Sequence, residues 1–256
     1  MPRIHLFEFE DQPWCPPALR NAVTGYIRLV VQMTQQVRPV IPALAELLGR
    51  TGESRILDLC SGSGGIARQV AQGLARSGAP TPMVLTDLYP DHESLRCAAA
   101  ASGGLIEAHA APLNATQVPA DLPGLRTIFN AFHHFDDEDA RRILIAAAEA
   151  RRPIAVIEFI QRNPMSLAGI FFSPFLVLFL APFLRPLRWQ TLVFTYLMPL
   201  IPLMVFWDGL ASWLRVHSLR ELEELAASVP APDYRWEVGR WPVGPLSVTY
   251  LLGHRA

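Results

Sequence analysis

The stretch "RILDLCSGSGGIARQV", residues 55–70, decides how this chain is read. Arg55–Cys60 is a short apolar run with one acid, Asp58, near its end, and it reads as a buried strand. A loop of small residues follows, and a helical pattern opens at Ile66. Strand, glycine turn and helix make a cradle for a nucleotide-like cofactor. Glycine lets the backbone come close to a ligand, and a helix start points its first N–H groups outward. From Gly62 to Ala67 the stretch also fits G-x-G-x-x-A, so a dinucleotide site is one reading and a plain tight connection is another. Two acids narrow the choice. Asp58 suits an ammonium group and repels a pyrophosphate. Asp87 ends the next apolar run, where a carboxylate accepts from both hydroxyls of a ribose.

Outward from this stretch the units alternate. Helices are predicted over Ile66–Ser77, His92–Ala101 and Asp137–Arg151. Strands are predicted over Met83–Asp87, Leu105–His109, Thr127–Asn130 and Ile154–Phe159. That order implies a parallel sheet with helices on both faces. Upstream, Ala18–Leu48 is helical, broken in two by Pro39 and Pro42. Downstream, Leu219–Ser228 is an amphipathic helix. Tyr234–Val238 and Ser247–Leu252 then read as two strands joined through Gly239, Pro242, Gly244 and Pro245.

The 256 residues suffice for one α/β domain with a large insertion. Lys and Arg number 22 against 23 Asp and Glu, so the basic excess of a nucleic-acid binder is missing and no such partner is expected. Cys15, Cys60 and Cys97 are too few and too scattered for a disulfide framework or a zinc site, which implies no metal and a reducing cytoplasm. Residues 1–14 carry acids where an export signal needs a basic start, so none is expected.

ILDLCSGSGG (56–65), VLTDLYP (84–90), FNAFHHFDDEDARRIL (129–144) and PIAVIEF (153–159) together resemble the class I S-adenosylmethionine-dependent methyltransferase family. The resemblance covers residues 55 to 160, and the terminal strand pair extends it. It implies an α/β, Rossmann-like seven-stranded sheet whose last strand is antiparallel. Residues 1–54 would be an N-terminal helical cap and residues 55–256 the methyltransferase domain. It implies S-adenosyl-L-methionine as cofactor, held along a loop of Cys60, Ser61, Gly62 and Gly64, with Cys60 standing where the family's first loop glycine usually is. Asp58 would face the methionine amino group, Asp87 the ribose hydroxyls, and Leu88 would pack on adenine. The slot where the family usually places an acid and then a small residue, to read the adenine amine, here holds Asn114 and Ala115.

Asn130 ends the fourth strand, where open α/β sheets place their active sites, and is expected beside the cofactor. Methyl transfer needs an in-line nucleophile and a dry pocket, and a base only where the attacking atom must lose a proton. His133, His134 and Glu158 are the candidate bases. Each has a structural alternative: packing or cofactor contact for the histidines, a paired acid for Glu158. The two histidines are expected to point in different directions, so at most one faces the methyl group. Asp136, Asp137 and Glu138 read as a helix N-cap and first turn. Trp14 and Arg20 either close over the cofactor or pack the cap.

The segment 163–215 departs from the family pattern. Asn163–Leu184 and Trp189–Trp207 contain no charged residue, and only Arg185–Arg188 divides them. Both runs have the length of a membrane span. Pro174, Pro182, Pro186, Pro199 and Pro202 interrupt them, and Arg185 and Arg188 would have to cross to the far side. A broken-helix hairpin lying in the membrane interface meets both facts best; a soluble lid or homodimer element and a spanning hairpin are the alternatives. Trp189, Trp207 and Trp213 flank the runs, as interface anchors or core aromatics.

The expected activity is methyl transfer to a small-molecule or lipid acceptor of apolar character at a membrane surface. A non-catalytic S-adenosylmethionine-binding scaffold at the membrane is the alternative. Asp58 and the terminal hairpin speak against a nicotinamide oxidoreductase.

Overall fold

The computed structural model describes residues 3–185 and 187–256. In chain order the helices and strands are α1 (Pro17–Met33), α2 (Val40–Thr51), β1 (Ile56–Leu59), α3 (Gly65–Arg76), β2 (Met83–Leu85), α4 (His92–Ala100), β3 (Ile106–Ala108), β4 (Leu125–Phe129), α5 (Asp137–Glu149) and β5 (Ile154–Glu158). They continue with α6 (Pro164–Leu180), α7 (Trp189–Leu192), a π turn over Val193–Leu197, α8 (Leu200–Arg215), α9 (Leu219–Ala227), β6 (Tyr234–Val243) and β7 (Leu246–Arg255). They form two compact units: the chain up to Thr34 with Ile160–His217, and Gln35–Phe159 with Ser218–Ala256. Thus α1 joins the apolar segment and α2 joins the sheet.

The sheet unit is the predicted seven-stranded α/β sheet. Its strand order is β3-β2-β1-β4-β5-β7-β6. The first five strands are parallel, and β7 lies antiparallel between β5 and β6. The order reverses at β1 and β4, which opens a crevice at the carboxyl ends of those two strands. β1, β4 and β5 are buried along their whole length, as parallel strands covered on both faces must be. Ile143, Leu144 and Ala147 of α5 and Leu222 of α9 pack against Ile128, Val156 and Leu251 of the sheet. Asp136 caps α5 by accepting from the Asp139 amide at 2.8 Å, as read from the sequence.

Two local expectations need correction. The terminal hairpin is longer than predicted: β6 and β7 run ten residues each, and only Gly244 and Pro245 remain for the turn. Gly239 and Pro242 lie inside β6. Pro42 does not break a helix but sits in the first turn of α2, where a missing N–H costs nothing. Pro242 is tolerated because β6 is an edge strand. Gly239 faces Tyr250, whose hydroxyl would lie 2.5 Å from any added Cβ, so the aromatic ring occupies the space a side chain would need.

In the helical unit, Leu19, Val23 and Tyr26 of α1, Val177 and Leu180 of α6, and Ile201 and Val205 of α8 form one core. The N-terminal segment is fastened to this unit. Asp208 accepts from the amides of Phe9 (2.7 Å) and Glu10 (3.3 Å), and Arg215 pairs with Glu8 and Asp11, both at 3.2 Å. Arg20 donates to the carbonyls of Glu10 and Gln12, both at 2.8 Å, so it fastens the segment. Trp14 is exposed and meets Phe9 edge-on. Pro174 lies inside α6, Pro182 in the 3-10 turn after it and Pro202 in the first turn of α8; Pro186 lies outside the described residues.

Candidate active site

The crevice is built around Asp58. Its strand β1 is flanked by β2 and β4, so the side chain is buried among their ends. Thr127 of β4 donates its hydroxyl to Asp58 Oδ1 at 2.7 Å, and Ser61 donates to Oδ2 at 2.6 Å. Burial pushes the Asp58 carboxyl up to about 7, against the pull of the Ser61 and Thr127 hydroxyls, and the nearby Asp87 charge adds to the rise. Thr86 donates both its amide and its hydroxyl to the Asp58 carbonyl, at 2.9 and 2.8 Å. The end of β1 is thus tied on both sides.

The loop after β1 turns through left-handed backbone at Cys60 (φ 57°), Gly62 (φ 52°) and Gly64 (φ 69°). At Gly64 the need for glycine is twofold. An added Cβ would stand 2.6 Å from Leu85 Cδ1 and 3.0 Å from Ala98 Cβ, besides being strained by φ. Cys60 adopts the left-handed conformation with a side chain, in the slot where the family usually has glycine. Burial, with the charges of Asp87 and Asp58, pushes its thiol up and out of the reactive range.

Asp87 lies just past β2. Its Oδ2 accepts from the Gly62 amide at 2.8 Å, and its Oδ1 accepts from the Tyr89 amide at 2.9 Å. Two backbone donors therefore hold the carboxylate in one orientation, beside the loop. Leu88 next to it is exposed. Asn114 caps a 3-10 turn over Ala115–Gln117, its Oδ1 accepting from the amide and hydroxyl of Thr116, both at 2.9 Å. Ala115 is buried behind it.

Asn130 follows β4 in left-handed backbone (φ 52°). Its amide donates to the Ile157 carbonyl at 2.7 Å and its Oδ1 accepts from the Phe159 amide at 3.2 Å. It joins the ends of β4 and β5 and turns the chain into the 3-10 turn Phe132–His134. There His133 is buried and meets Glu158, the last residue of β5, twice. The His133 amide donates to Oε1 at 3.1 Å, and Nδ1 lies 2.8 Å from Oε2. A carboxylate accepts, so His133 carries a proton on Nδ1, toward Glu158.

Glu158 is the paired acid and His133 is the group it orients. The two histidine rings do not diverge as expected; their centroids lie 4.4 Å apart at 30°. Sequence reasoning missed Thr86 and Thr127. The one available signal was a hydroxyl residue on each strand that neighbours Asp58.

No protein-family model matches the sequence, and no curated protein does. Solved structures do match. A plantazolicin methyltransferase in complex with SAH is 12% identical, with a TM-score of 0.55 over 97% of this chain and 93% of that one. Human N-acetylserotonin methyltransferase in complex with SAM is 13% identical, with a TM-score of 0.54 over 93% of this chain. This chain spans 56% of the human enzyme's length. At these identities the likeness is one of fold, and the fold of this chain is that of the class I S-adenosylmethionine-dependent methyltransferases.

Proposed function

We propose that the protein transfers a methyl group from S-adenosylmethionine to a small or lipidic apolar acceptor at a membrane surface, with His133 as the base. The observation that carries this is the buried His133–Glu158 pair, set at the same carboxyl edge of the sheet as Asp58 and Asp87.

The residues present fit the cofactor. Asp87 is a carboxylate fixed by two amides beside Gly62, where an added Cβ would stand in open space, so the bare backbone there suits close approach of a ribose. Asp58 is a buried acid whose carboxyl is raised to about 7, so a cation beside it would favour its ionised form. Both neighbours described above carry this cofactor or its demethylated product. When bound, S-adenosylmethionine supplies a methyl carbon made electrophilic by its sulfonium. Glu158 holds His133 with the proton on Nδ1, so that Nε2 takes a proton from an acceptor hydroxyl or amine as it attacks. The carboxylate also stabilises the imidazolium that results. The apolar character of segment 163–207, which contains only two charged residues, Arg185 and Arg188, supports the reading of an apolar acceptor.

Calorimetric titration of the purified chain with S-adenosylmethionine, beside an Asp87→Ala variant, tests the cofactor. Micromolar binding lost in the variant is expected. Absence of binding by the wild type defeats the reading. Turnover assays with apolar hydroxyl acceptors then test the chemistry. Binding without turnover in any of them leaves the scaffold alternative.

A further inference from the structure

Between Met165 and Leu203 the helical unit turns outward the residues a folded core hides. Phe171, Phe172, Phe175 and Phe179 of α6 are each more than half exposed, as are Leu197 at the end of the π turn and Leu203 of α8. α6 buries Ile170, Ser173, Val177 and Leu180, a spacing that makes one narrow stripe. α8 runs antiparallel beside α6. Trp213 Nε1 donates to the Asn163 carbonyl at 3.3 Å, Gly209 sits against Ile170, and the Tyr196 hydroxyl before α8 donates to the Leu178 carbonyl at 2.6 Å.

Three observations identify what covers the rest of α6. First, Pro164–Phe183 is long and apolar enough to cross a bilayer, with mean hydropathy 2.0 over its best window, so its surface matches hydrocarbon. Second, the return path is not one straight helix but two legs that are long and apolar enough for a span only when taken together. Trp189–Leu197 and Leu200–Arg215 meet at 82°. The nine-residue leg spans ~14 Å at 1.5 Å per residue, about half a hydrocarbon core. α8 then carries Asp208 and Arg215, which bind the N-terminal segment. Third, the only charged residues from 163 to 207 are Arg185 and Arg188, both exposed, and Arg28 joins them by donating to the Arg185 carbonyl at 2.5 Å. An apolar band with a basic end complements the acyl chains and phosphates of an anionic leaflet. A second copy of the chain paired through this face would supply no acid from 163–207 to meet these arginines.

We infer that this face docks into a single leaflet of an anionic phospholipid membrane, with α6 lying in the plane of the interface and Arg28, Arg185 and Arg188 on lipid phosphates. The inference rests on the membrane-surface reading above and adds the lipid class and the depth.

Flotation of the full chain with phosphatidylcholine vesicles, with and without phosphatidylglycerol, is the test. The chain should float with the anionic vesicles and be released by alkaline carbonate. Arg185→Gln/Arg188→Gln should weaken that binding by about thirtyfold, at ~1 kcal/mol for each charge near the surface. Phe175→Glu, a change at an exposed position, should abolish it. No flotation of the wild type on anionic vesicles overturns the inference, as does retention after carbonate, which means a span. So does equal binding by the double arginine variant, or a stable lipid-free dimer that Phe175→Glu dissociates. Titration of the same preparations with S-adenosylmethionine keeps the two readings apart. Flotation without cofactor binding defeats methyl transfer and leaves the docking surface. Cofactor binding without flotation does the reverse.

Discussion

Glu158 grips His133 with both carboxylate oxygens, Oε1 on the backbone amide at 3.1 Å and Oε2 on Nδ1 at 2.8 Å. The grip fixes the ring and its tautomer together, because the same acid sets where the loop runs and where the proton sits. Removing either partner therefore has different consequences.

His133→Ala removes the proton acceptor. We expect kcat to fall by about 10²–10⁴ while S-adenosylmethionine affinity stays within a few-fold. Glu158→Gln keeps the shape but presents one NH₂ where an oxygen accepted. It should lower kcat by a smaller factor with little change in cofactor affinity. Parallel turnover and calorimetry on the two variants separate the roles, and an unchanged kcat for His133→Ala would remove it from the chemistry.

Asp87→Ala takes away an acceptor already aligned by Gly62 and Tyr89. Hydrogen bonds to a charged acceptor contribute about 1.5–3 kcal/mol each, so cofactor affinity should drop by roughly a hundredfold or more. Asp87→Asn should lose less. Competition titration with the demethylated product reads both.

Asp58 gives a pH dependence whose sign is set by its raised carboxyl, about 7 in the fold against 3.8 ordinarily. Between about pH 4 and pH 7 the folded chain holds a proton that the unfolded chain has released. Its contribution to stability is thus greatest below pH 4 and is lost as pH rises through 7. Urea unfolding across that range should show a shallower decline for Asp58→Asn than for wild type. Binding of the cationic cofactor favours the ionised form, so binding below pH 7 should release a proton. Calorimetry in buffers of different ionisation enthalpy detects this, and proton uptake would contradict it.

Cys60→Gly relieves a left-handed residue that carries a side chain. That strain costs about 1–2 kcal/mol, offset by about 0.5–1 kcal/mol for the extra freedom of glycine when unfolded. The variant should melt slightly higher, with the cofactor site intact. A lower melting temperature would mean the half-buried side chain contributes packing that outweighs the strain.

The sheet and the cradle were legible because they rest on local signals. Strand patterns of four to six residues, most of them followed by a helical period, place β1 to β5 within about two residues. Asp58 and Asp87 are readable from their positions at the strand ends. The pairing of His133 with Glu158 was not, because it joins residues 25 apart on neighbouring strand ends and leaves no mark in either local pattern. Gly239 and Pro242 are turn residues by composition, so the sequence pattern implies a shorter hairpin than the one formed. Only the ring of Tyr250 and the edge position of β6 make them strand residues. The union of α1 with α6 and α8 was hidden for the same reason, since it brings together helices more than a hundred residues apart.

The position of β7 has a consequence for how the chain is made. β5 is complete at Glu158, but the strand that covers its open side begins at Leu246. While the intervening residues leave the ribosome, β5 presents a row of unpaired N–H and C=O groups, the template on which strands of other chains add. The helices α6 to α8 emerge during this interval with their phenylalanines uncovered. Synthesis beside a bilayer would shelter the helices first and let the sheet close last, whereas synthesis far from one leaves both hazards open at once.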